Sequence, residues 1–111
     1  MDEISKVAGV RDMDTDILQE HRARIDELDE QLICLLAERF EITKAVGELK
    51  AKSGLPAADP QREKDQIAQL HEIARREGMD PIFGEKVFRL IVDEVIRHHL
   101  QTADSHGEIE N

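Results

Sequence analysis

The sequence has no tryptophan, no tyrosine, three phenylalanines and one cysteine in its 111 residues. A single thiol, Cys34, excludes an intramolecular disulfide and any zinc site built from several thiolates. Its neighbours Ile33, Leu35 and Leu36 are apolar and predict a buried, inert sulfur. So few aromatics predict an aliphatic core. Basic residues are also short, 15 against 25 acidic ones for a net charge of -10, the opposite of a nucleic-acid binder's basic stripe. No apolar run approaches the roughly 20 residues of a membrane-spanning helix. The N-terminus lacks the basic and then apolar order of a signal peptide. With 40% hydrophobic and 36% charged residues, the chain is too apolar for wholesale disorder. The expectation is a soluble, cytoplasmic protein with neither nucleic acid nor membrane as partner.

What is present reads as helix. Residues 1–14 show no sustained period and 103–111 are short, polar and acidic, so both are expected to be frayed or disordered tails flanking a helical domain over 15–102. Two punctuated breaks, Ser53 to Pro60 (SGLPAADP) and Gly78 to Pro81 (GMDP), divide that domain into helices near 15–52, 60–77 and 81–102. In the first, Ile25, Leu28, Leu32, Leu35, Ile42, Val46 and Leu49 form a heptad seam, with Arg39 in the slot between Leu35 and Ile42. A helix of about 36 residues runs ~54 Å, too long for the rest of so short a chain to cover. A second copy is therefore expected along it. The fold class is all-α, three helices per chain with a very long first helix, in an intertwined helical dimer.

Several polar residues stand out of place. A guanidinium at Arg39 inside the seam requires an anion or acceptors; an ion pair across the dimer or snorkelling would also satisfy it. Lys50, eleven positions on, falls about 20° from Arg39 around the axis and ~16 Å along it, so a small dianion could lie between them. Lys50 could equally serve only as a cation at a helix C-terminus. Arg22 lies 17 positions before Arg39, which is ~25 Å away and about 100° off its face. It can share a small ligand with Arg39 only from the partner chain, and otherwise is a solvated arginine. Asp59, Arg62 and Glu63 share one face at the start of the second helix; Asp59 suits an N-cap, and the other two could form a surface ion pair. On the third helix Phe88, Val92, Val95 and His99 form a stripe, with His99 either a satisfied core residue or functional. His98 is offset by about 100° and is expected to matter little. Two adjacent histidines make a poor metal site, and no phosphate loop or activated nucleophile is evident.

The order and spacing of Arg22 to Leu36 (RARIDELDEQLICLL), Ala37-Glu38-Arg39, Val46 to Lys50, Asp59 to Glu63 and Phe88 to His99 (FRLIVDEVIRHH) closely resemble the AroQ-type chorismate mutases. That resemblance implies conversion of chorismate to prephenate in phenylalanine and tyrosine biosynthesis, without cofactor or metal, by a homodimer with two shared active sites. It implies that Arg39 and the other chain's Arg22 grip the substrate carboxylates with help from Arg62. Lys50 would reach the ether oxygen and a carboxylate, while Asp59 and Glu63 would meet the ring hydroxyl. His99 stands where the family often has a glutamine donor to the ether oxygen, and Val95 where it often has a hydroxyl. The alternatives are an isochorismate pyruvate lyase, from which Glu63 is the discriminating residue, and a catalytically weak helical partner of another shikimate-pathway enzyme.

Overall fold

A computed structural model describes the backbone of residues 9–110 and the side chains of residues 12–102. It contains three helices, α1 (Gly9–Ser53), α2 (Pro60–Arg76) and α3 (Pro81–Glu110), with no strand among the described residues. The two expected breaks are the two that occur. At the first, Gly54 takes a left-handed φ of 67° and the Leu55 N–H returns to the Lys50 carbonyl at 2.9 Å. At the second, Gly78 (φ 74°) lets the Met79 N–H reach the Ala74 carbonyl at 2.8 Å while its own N–H bonds to Arg75 O at 3.2 Å. That pair of bonds satisfies carbonyls that the end of α2 would leave orphaned. Asp80 then caps α3, its Oδ1 accepting from the Ile82 N–H at 3.0 Å ahead of Pro81.

The helices overrun the expected bounds at both ends. α1 is already helical from Gly9 and α3 continues to Glu110, so the backbone is regular across 9–14 and 103–110. The seam and the stripe locate packing faces, and helical hydrogen bonding continues past the last packed side chain. Residues 1–8 and 111, the remainder of the expected tails, lie outside the described residues.

The chain divides into two units, one ending at Arg39 and one beginning at Phe40. In the first, every described side chain from Asp12 to Leu35 is exposed, including Ile25, Leu28, Leu32 and Leu35 at 45% to 63%. Cys34 is exposed with them, against the expectation of a buried thiol, because no other element of this unit packs over it.

The second unit joins the last turns of α1 to α2 and α3. Its buried apolar side chains are Ala74 and Phe88, so the centre of the core is partly aromatic and not purely aliphatic as expected. Small residues bring α2 and α3 close: a Cβ placed on Gly84 would sit 3.7 Å from the Ala74 Cβ, ordinary contact. Val92, Val95 and His99 are half-buried on the same stripe as Phe88. His98, offset from that stripe, is packed as well. Its side chain is only 11% exposed and stands edge-on to Phe40 with ring centroids 5.3 Å apart. A helix packed by two neighbours buries a wider arc than one stripe, and His98 falls inside it. Among the described residues no helix is long and apolar enough to cross a membrane, and no cluster of metal-ligating side chains occurs.

Candidate active site

Lys50, Asp59, Arg62, Glu63 and His99 all belong to the second unit. Lys50 is half-buried in the last turn of α1, where its ammonium donates to the Ala57 carbonyl at a long 3.4 Å. An ammonium has three N–H donors, so two remain for another acceptor. Asp59 is the N-cap of α2: its Oδ1 accepts from the Arg62 backbone N–H at 3.1 Å, while the Arg62 side chain is exposed. One turn in, Glu63 is half-buried and its Oε1 accepts from Arg89 Nη1 of α3 at 2.7 Å.

His99 is held from α1. Its Nε2 lies 3.1 Å from the Thr43 carbonyl oxygen, and its ring covers Gly47. A Cβ at position 47 would come within 2.5 Å of the ring's Cδ2 and 2.7 Å of Nε2, so only glycine leaves room for the imidazole in this position. A carbonyl can only accept, so the nitrogen facing it carries the hydrogen and the neutral ring is the Nε2–H tautomer. The bond is also what a satisfied core histidine would make.

Arg22 and Arg39 belong to the first unit. Arg22 is exposed. Arg39 is half-buried, and its Nη1 is shielded from solvent without a hydrogen-bond partner among the described residues. Buried guanidinium donors are rarely left unmatched, so this nitrogen calls for an acceptor that the described residues do not supply.

Sequence spacing missed Arg89, Thr43 and the specific role of Gly47. Arg89 offered a signal only within its own helix, four residues after Glu85; its partner Glu63 is 26 positions away. Thr43 acts through a carbonyl that every residue possesses. Away from these groups, Arg97 holds Glu94 by two hydrogen bonds of 2.5 and 3.0 Å, which lower the Glu94 carboxyl below its ordinary range. Arg97 is exposed and Glu94 half-buried at the surface, so the pair contributes little to stability.

The family described as chorismate mutase type II matches residues 21–100. A chorismate mutase of Methanocaldococcus jannaschii is 34% identical over 76 residues, which cover 68% of this chain and 77% of that protein. A bifunctional chorismate mutase/prephenate dehydratase of Escherichia coli is 32% identical over 93 residues, 78% of this chain but 24% of that protein. A T-protein of Enterobacter agglomerans is 38% identical over 73 residues, 66% of this chain and 20% of that protein.

Proposed function

Because the chain belongs to the chorismate mutase type II family, we propose that it turns chorismate into prephenate by gripping the substrate's two carboxylates and placing positive charge at its ether oxygen. The rearrangement is unimolecular: one carbon–oxygen bond breaks as one carbon–carbon bond forms, and no atom enters or leaves. It needs no nucleophile. Protein groups can contribute by holding the substrate compact and by stabilising the negative charge that grows on the ether oxygen. Arg39 carries the reading, since a shielded guanidinium nitrogen without a partner is suited to a substrate carboxylate. In this proposal the partner chain's Arg22 takes the second carboxylate, with Arg62 assisting. Lys50 uses its free N–H donors on the ether oxygen and a carboxylate, and Asp59 and Glu63 accept from the ring hydroxyl.

We also infer a cytoplasmic homodimer with shared sites. The apolar seam of α1 supports it, because Ile25, Leu28, Leu32 and Leu35 are left in water by a single chain. Apolar surface gains roughly 25 cal/mol per Å² on burial, which is what pairing of the long helices would recover.

The test of the activity is incubation of the purified chain with chorismate and, separately, isochorismate. Prephenate from the first and no pyruvate from the second is expected. Pyruvate release from isochorismate without prephenate from chorismate would favour the lyase reading and sink this one.

The Thr43 contact sharpens the part assigned to His99. With Nε2–H committed to the carbonyl, only Nδ1 remains for the substrate, and Nδ1 is a donor only in the imidazolium. His99→Gln should keep much of the activity, since an amide retains a donor, whereas His99→Ala should lose most of it. Natural activity in His99→Ala, measured with chorismate, would remove His99 from the chemistry.

A further inference from the structure

Glu63 does not stand alone in the second unit. Its Oε1 accepts from Arg89 Nη1 at 2.7 Å, and Arg89 Nη2 lies 3.7 Å from Glu85 Oε1 on the same helix. The other oxygen of Glu85 is 3.6 Å from His71 Nε2 across the helix interface. The guanidinium of Arg89 thus stands between a carboxylate of α2 and one of α3. The Arg89 and Glu63 side chains are 54% and 39% exposed, so the pair adds little to stability and its consequence is direction.

A carboxylate has two oxygens with room for about four donors, and a long glutamate side chain must give up rotamer freedom to present either of them. An arginine fixed to Oε1 leaves Oε2 as the unclaimed acceptor in one preset orientation. We propose that Arg89 is a positioning residue for the reaction: it holds one oxygen of Glu63 so that the other is ready to accept from the ring hydroxyl of the substrate. The inference rests on the reading of Glu63 given under the proposed function and extends it to a residue of α3. Glu85, four residues before Arg89, steadies the guanidinium from its own helix. The exposed position makes the role one of geometry, and lysine, a point charge on a flexible stem, can reproduce it only in part.

The test is a double-mutant cycle in chorismate turnover, with helicity and melting recorded for each variant. Arg89→Met should lower kcat/KM about tenfold in the otherwise natural chain, but less than twofold in a Glu63→Gln background, because a residue acting through Glu63 loses its means of action there. Arg89→Lys should fall between, and it keeps the test decisive if the methionine variant does not fold. A substrate-like dicarboxylate lacking the ring hydroxyl should bind natural and Arg89→Met chains equally, which a merely structural clamp would not predict. Equal penalties in both backgrounds, or a weakened grip on the hydroxyl-free analogue, would overturn the assignment while leaving the activity intact. A natural chain that forms no prephenate would overturn both.

Discussion

Lys50→Ala is expected to lower kcat about a hundredfold while KM changes little, the equivalent of ~3 kcal/mol for one preorganised electrostatic donor. The reason lies in timing. The ether oxygen of bound chorismate is nearly neutral and becomes negative only as its bond breaks, so a cation aimed at it is rewarded mainly in the transition state. Lys50 is suited to that task by its place in the last turn of α1, where the 3.4 Å contact with Ala57 anchors the ammonium without exhausting its donors. Lys50→Met preserves the apolar stem and separates loss of charge from loss of packing. Steady-state kinetics with thermal melting for both variants checks the expectation. A change confined to KM would assign Lys50 to uniform carboxylate binding, and one that tracks melting would assign it to the α1–α2 connection.

The second large effect is a recovery. Arg22→Ala and Arg39→Ala chains are each expected to be nearly inactive, yet mixing them should restore about a quarter of natural activity, as symmetry requires of shared sites. Random exchange makes half of the dimers mixed. In a mixed dimer one site collects both defects and the other collects neither. The prediction joins two observations on α1: its exposed apolar seam, and an exposed Arg22 that helical geometry sets ~25 Å along the axis from Arg39. Activity after verified subunit exchange, measured against each variant alone, decides it. A mixture no better than its parents would mean that Arg22 does not serve the partner's site, and a monomer mass by light scattering would remove the dimer altogether.

The parts of the fold legible in the sequence are those that local chemistry decides. Gly54 and Gly78 end helices because they accept the left-handed conformation, and Asp59 and Asp80 begin them because a short carboxylate caps a helix. The stripe of Phe88, Val92, Val95 and His99 was legible from periodicity for the same reason. His98 was not, since the width of a buried arc depends on how many helices pack against it. Cys34 misled in another way: apolar neighbours in sequence say which residues seek burial, not whether this chain supplies the cover. Among the candidate site residues, Arg39 announced itself as a cation in an apolar seam. Arg89 looked like an ordinary surface arginine until α2 and α3 were brought together.

The contact between Gly47 and His99 has a consequence for anyone engineering this chain. A glycine inside a helix is the usual target for stabilisation, since alanine there gains up to about 1 kcal/mol in propensity. Gly84 is open to that exchange, with Ala74 at ordinary contact distance. At Gly47 the added methyl would land on the imidazole, and the ring could make room only by leaving the Thr43 carbonyl. The hydrogen bond forfeited is worth about as much as the propensity gained, so melting temperature alone would hardly register the loss of the histidine from its place. One Cβ therefore marks a place where a melting curve is a poor guide to whether the proposed site is still assembled.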